Sequence, residues 1–246
     1  MLIDDLAVAN HILYDQGILD GFGHVSARDD HDPQRFLLSR NMAPALVTPA
    51  DVLAFDLKGE AIVADGPRVY LERFIHAAIY QARPDVKAVV HSHTPTILPF
   101  GLVKGANLCP ICHMSGFIRR NTPIYEIRDD RGATSDLLIK SIDLGSSLAT
   151  TLGDHALVLM RGHGMTVVGD SLPQAVFRAI YTETNARIQL AASQLGTPDF
   201  LTAEEAATAN ATNDGQIGRA WDFWALRASS TIASLRGPHR FDLAPA

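Results

Sequence analysis

Residues 71–95 read LERFIHAAIYQARPDVKAVVHSHTP, and this stretch decides the fold. It opens on a lone glutamate, Glu72, and continues with apolar residues at helical spacing. Arg83-Pro84-Asp85 marks a turn, and the short apolar run 87–90 that follows reads as a buried strand. At its end stand His91 and His93, which project to one side because strand side chains alternate with period two. Two imidazoles on one side are half of a metal site. The other half is expected from His163, in the stretch LMRGHGMTVVG at 159–169. It follows a second apolar run, 156–160, and lies between Gly162 and Gly164. Three imidazoles with an open position suit a Lewis-acid divalent metal. Neutral imidazole accepts manganese, zinc, iron or cobalt, and spacing does not choose among them.

Outward from this stretch, helices and strands interleave. Apolar residues at 2–16 form one helical stripe ending at Gly17, and Gly21 and Gly23 suit a tight turn close to a ligand. Strands are expected at 25–28, 36–39 and 52–56, with a hairpin-like turn at 57–60 leading to a strand at 61–63. The spacing predicts a short helix over 94–102, a strand around 124–128 and a helix over 134–152 ending at Gly153. The longest helical pattern runs over 171–195, with Pro173 in its first turn and Gly196 just past its end. A linker at 197–199 leads to a last helix near 214–234, then a terminal arm. This pattern predicts a single α/β domain over 1–246 with a mixed sheet and a C-terminal helical arm from about 203.

The 246 residues suffice for a sizeable core. A net charge of −6 argues against a nucleic-acid partner and fits a small-molecule enzyme. No apolar stretch is long enough to span a bilayer. Acids stand where a signal peptide needs basic residues, and there are only two cysteines, so the expected location is cytoplasmic, with no membrane partner.

Other residues have competing readings. Glu72 beside a helix start has a purely electrostatic role as its simplest reading, since the N-terminus of a helix favours an anion. His76 lies one turn further on. Cys109 and Cys112 form a single C-x-x-C without the second pair a zinc knuckle needs, and read as packing residues. His113 and Ser115, in a glycine-ended loop, have two readings, ordinary surface-loop residues or contacts to a substrate, and the first is the default. Arg40, Arg119, Arg120 and Arg161 are candidate carboxylate clamps, Arg161 the best placed because it stands two residues from His163.

GHVSAR at 23–28, the 71–95 stretch and LMRGHGMTVVG together resemble the class II aldolase/adducin family, over roughly residues 2–220. The resemblance implies a three-layer α/β/α domain, a homotetramer with active sites at subunit interfaces, metal ligands at His91, His93 and His163, and a catalytic acid/base at Glu72. Some positions depart from the sugar-phosphate aldolases. Their phosphate loop reads G-N-x-S, where this chain has Gly23-His24-Val25-Ser26, and two phosphate-binding serines are replaced by Tyr70-Leu71. Met114, beside His113, stands where those aldolases carry a tyrosine. A phosphate would lose hydrogen bonds and meet bulk here.

HMSGF, PIYEIRDDRG and QAVFRAIYTETNAR are more similar to the family's decarboxylase branch, exemplified by hydroxymethylpyridine-dicarboxylate and dihydroxyphthalate decarboxylases. That resemblance implies decarboxylation of a hydroxylated aromatic dicarboxylate. A divalent metal (Mn2+ or Zn2+, with Fe2+ or Co2+ as alternatives) would hold the ring hydroxyl and neighbouring carboxylate, with Glu72 and His113 catalytic. Expected substrate contacts are His24, Ser26, Ser39, Arg40 and Arg161. An aldolase acting on a non-phosphorylated hydroxy-acid needs the same metal and glutamate. An adducin-like binding module would not need the three histidines.

Overall fold

The computed structural model describes residues 2–63 and 65–235. Its centre is a seven-stranded mixed sheet in the order β3-β2-β1-β4-β7-β6-β5. The strands are β1 (His24–Arg28), β2 (Arg35–Ser39), β3 (Val52–Asp56), β4 (Ala88–Ser92), β5 (Ile124–Tyr125), β6 (Leu157–Met160) and β7 (Gly164–Gly169). Only β5 and β6 run parallel; the other neighbours are antiparallel.

Strand alternation divides the apolar residues into two cores. Ala88 and Val90 of β4 join Val25, Leu157 and Val167 on one face, beneath α1 (Leu2–Asp15), α6 (Leu172–Leu195) and α8 (Ile217–Leu235). Val89 joins Leu38, Val158 and Val168 on the other, beneath α2 (Arg73–Ala82) and α5 (Ile142–Leu152). The result is the three-layer α/β/α architecture, each layer burying the apolar side of its elements. Short helices α3 (Leu98–Leu102) and α4 (Arg128–Arg131), and α7 (Ala203–Asp214), complete the described chain. Among the described residues no helix is long and apolar enough to cross a membrane.

Several expected boundaries move, each for a local reason. The helix read over 134–152 begins only at Ile142, where the Ser141 side chain accepts from the Leu144 amide and caps it. Residues ahead of it form a loop in which Leu137 takes a left-handed φ of 68°. The strand expected over 124–128 stops at Tyr125 and turns into α4. Ala61 makes only an isolated bridge to Phe55, so no strand forms over 61–63. The stretch before 214 contains α7, opened by a reciprocal cap between Thr202 and Glu205 that spacing alone did not single out. The last helix runs Ile217–Leu235, and most of the expected terminal arm lies outside the described residues.

Candidate metal centre and catalytic site

The expected quartet converges at one end of the central strands. Ligand atoms of Glu72, His91, His93 and His163 all lie within 4.8 Å of one another. His93 Nε2 is 2.9 Å from His91 Nε2 and 3.0 Å from His163 Nε2. Glu72 Oε2 is 3.6 Å from His91 Nε2 and 3.4 Å from His163 Nε2.

Backbone geometry produces this convergence. His91 sits on β4 and His93 just past its end, while His163 occupies the tight β6–β7 turn. Gly162 adopts a φ of 67° there, conformational ground that favours glycine. At Gly164 the β7 backbone crosses so near β4 that an added Cβ would stand 2.1 Å from the Ser92 carbonyl oxygen. Glu72 immediately precedes α2, whose first turn closes from Ile75 N–H to the Glu72 carbonyl.

Outer hydrogen bonds set the inward-facing atoms. His163 Nδ1–H donates to the Leu137 carbonyl at 2.9 Å, and His91 Nδ1–H donates to that of Met165 at 3.1 Å. Both rings therefore turn an Nε2 lone pair inward. Burial pushes the pKa of His91 down and that of His93 to about 4, so these two rings are neutral at pH 7. Glu72 accepts from the Ile139 amide at 2.9 Å. Burial works to raise its pKa, but its close contacts with His163 and His91 outweigh this and hold the carboxyl well below its ordinary range. Imidazole lone pairs and a carboxylate facing one another at these distances form a donor set that fits a divalent cation.

The remaining expected residues spread out. His24 is buried beside His91, its register partner, with ring centroids 5.1 Å apart. Ser26 is fully buried and bonded to His76 and Tyr80, so its hydroxyl is turned into the fold. Ser39, also fully buried, meets the Tyr70 hydroxyl at 3.3 Å. Arg40 is paired with Asp51 at 2.7 Å and Arg161 with Glu126 at 2.6 Å. Arg119 pairs with Asp154, and Arg120 bonds the carbonyls of Phe200 and Leu201. His113 is exposed in a loop whose backbone is held by Asn213. Ser115 donates to Asn185 at 2.5 Å. Cys109 and Cys112 are free thiols in the same region.

Two supporting features escape sequence reading. The Leu137 carbonyl and Ile139 amide orient His163 and Glu72, but backbone groups leave no residue-type signal. Tyr80 continues the His76–Ser26 contact, and only its place on the buried stripe of α2 pointed to it.

Comparison with known proteins agrees with this architecture. The family model described as Class II Aldolase and Adducin N-terminal domain matches residues 4–190. A decarboxylase of Talaromyces stipitatus, tropJ, is 36% identical over 87% of this chain and 89% of its own length. The 3,4-dihydroxyphthalate decarboxylase of Rhodococcus jostii is 31% identical over 78% of this chain and 80% of its own. Among solved structures, an aldolase II superfamily protein from Pseudomonas syringae superposes with a TM-score of 0.75 at 23% identity, covering 94% of this chain and 92% of that one. The fold, the matched residues and the relatives agree: the chain belongs to the class II aldolase/adducin family.

Proposed function

We propose that this chain is a divalent-metal-dependent carboxy-lyase that decarboxylates a hydroxylated aromatic dicarboxylate. The observation that carries the reading is a buried carboxylate, Glu72, set against three converging imidazoles in a chain 36% identical to a decarboxylase. His91, His93 and His163 would hold the cation, manganese or zinc being the first choices for this donor set. When bound, that cation supplies Lewis acidity to the substrate oxygen ortho to the departing carboxylate.

Glu72 does the proton work. Ionised in the resting site, it accepts the hydroxyl proton of the incoming substrate. Glu72 then returns that proton to the ring carbon bearing the carboxylate, which becomes tetrahedral with the ortho oxygen as a carbonyl. The bond between this carbon and the carboxylate breaks, carbon dioxide leaves, and the electron pair passes through the ring to the ortho oxygen as aromaticity is restored. The fixed bond from the Ile139 amide to Glu72 Oε1 keeps the other carboxylate oxygen directed at the site. Burial of His91 and Glu72 keeps bulk water from competing for that proton.

The positions that differ from sugar-phosphate aldolases support an aromatic substrate. The Tyr70 hydroxyl is already committed to the Met42 carbonyl at 2.6 Å, and Leu71 offers no donor where those aldolases bind phosphate through serines. The active form proposed is a cytoplasmic homotetramer, whose neighbouring subunits complete the substrate pocket. His113 and Arg161 are proposed to reach substrate there.

Product analysis separates this reading from its rivals. Metal-free protein and protein restored with manganese, zinc, iron or cobalt are incubated with dihydroxyphthalates, hydroxypyridine dicarboxylates and aliphatic hydroxy-acids. Metal-dependent carbon dioxide from an aromatic diacid is expected. Aldehyde or pyruvate from the hydroxy-acids instead would establish an aldolase, and no turnover with any compound would favour a binding module.

A further inference from the structure

Four buried side chains lead away from the metal-site histidines in a line that the proposed reaction does not use. His24 Nδ1 is 2.7 Å from His76 Nε2, His76 Nδ1 is 2.6 Å from Ser26 Oγ, and Ser26 Oγ is 2.8 Å from the Tyr80 hydroxyl. Ser26 and His76 are fully buried, Tyr80 is 1% exposed and His24 4%. Neighbours clamp the line. Phe36 packs beside both the His76 and Tyr80 rings, and the Arg28 guanidinium lies 4.7 Å from the Tyr80 centroid.

Proton counting gives this line a direction. Among the described residues, the Val89 amide donates to the Tyr80 oxygen and Ser26 Oγ is the only acceptor that meets the Tyr80 O–H, while Ser26 in turn meets only Tyr80 and His76. A buried hydroxyl proton without an acceptor is costly. Both hydroxyl protons find acceptors in one arrangement: Tyr80 donates to Ser26, and Ser26 donates to His76 Nδ1. His76 must then carry its proton on Nε2 and donate it to His24 Nδ1. That leaves His24 with its own proton on Nε2, the ring atom that takes no partner among the described residues. The reverse arrangement strands the Tyr80 proton and would make His24 Nε2 a lone pair.

We propose that His76, Ser26 and Tyr80 are positioning residues that lock His24 in its Nε2–H tautomer, making it a neutral donor to a substrate carboxylate beside the metal histidines. The substrate half rests on the decarboxylase reading; the tautomer does not. A donor of fixed polarity selects an acceptor such as carboxylate over a hydroxyl proton or an ammonium group, and it cannot act as a fourth imidazole ligand. Gly23 supports the placement. Its φ is 81°, and an added Cβ would meet Leu19 Cδ2 at 2.6 Å and the His91 carbonyl oxygen at 2.9 Å, so His24 enters β1 along a path that only glycine permits.

The test reads nitrogen tautomers directly, by long-range proton–nitrogen spectra of 15N-histidine-labelled protein loaded with diamagnetic zinc. Wild type should show His24 protonated on Nε2 and bare on Nδ1, and Ser26→Ala should turn that signal into a tautomer mixture. Phthalate, as a non-reacting dicarboxylate probe, should shift the His24 Nε2–H resonance, and His24→Phe should weaken its binding about tenfold. A wild-type His24 protonated on Nδ1, or a tautomer unchanged in Ser26→Ala, would overturn the relay. Phthalate binding unaltered in His24→Phe would overturn the substrate contact. Failure of carbon dioxide release with the tautomer as described would instead count against the decarboxylase reading alone.

Discussion

His76 is a base kept neutral by burial, which lowers its pKa to about 3, below the ordinary histidine value. The unfolded chain therefore binds a proton that the native chain refuses between those two values. The native state is penalised as pH falls through about 6.5, and the penalty grows until about pH 3. Between pH 7 and pH 5 this one group should cost about 2 kcal/mol. Urea unfolding at the two pH values should show wild type losing about that much more stability than His76→Gln. Equal losses in the two proteins would mean that His76 is not held neutral. A histidine on the buried stripe of a helix was visible in the sequence, but its partners His24, Ser26 and Tyr80 were not. His24 and Ser26 lie about fifty positions away, and although Tyr80 stands one turn further along α2, no local pattern encodes its meeting with Ser26.

At the scale of elements, the site depends on how closely β4 and β7 approach. In Gly164→Ala the new methyl would require the strands to part at Ser92, with His93 next to it. The expected cost is about 1–3 kcal/mol, with metal affinity lowered at least tenfold because His93 and His163 flank the contact. Thermal denaturation and metal content of the dialysed variant check both, and unchanged metal content would show that the approach is not critical. The α5 cap is a smaller test: Ser141→Ala should cost about 1 kcal/mol, read by urea unfolding, while a neutral result would mean that the helix start is held by packing instead.

The elements themselves were unevenly legible. Strand β3 has the boundaries that its sequence suggests, and α6 begins one residue late, because alternation, Pro173 and Gly196 are local signals. The loop ahead of α5 was not legible. Apolar residues Leu137 and Leu138 fit a helical stripe, yet the Leu137 carbonyl and Ile139 amide are turned to His163 and Glu72, and the left-handed φ at Leu137 follows from that use.

For the whole molecule, two cores on opposite faces of one sheet hold the site between them. The three histidines were expected to meet because metal chemistry demands particular residue types, whereas Glu72 was singled out by the family resemblance. The strand order was not, since it depends on pairings between segments far apart, such as β1 with β4 and β4 with β7. The aromatic cluster of α8 now divides. Trp224 is 7% exposed against Phe177 and Tyr181, whereas Phe223 is 61% exposed. Trp224→Ala should cost about 3–5 kcal/mol, and Phe223→Ala within about 0.5 kcal/mol for an isolated subunit. A larger, concentration-dependent loss for Phe223→Ala would place that face in the proposed tetramer contact.

The most direct measurement follows carbon dioxide release from a hydroxylated aromatic dicarboxylate by wild type and Glu72→Gln, with bound metal quantified on the same samples. The account predicts metal-dependent release by wild type. It predicts a variant that retains its metal on His91, His93 and His163 yet turns over roughly a hundredfold to ten-thousandfold more slowly. A metal-loaded Glu72→Gln protein that releases carbon dioxide at the wild-type rate would contradict it.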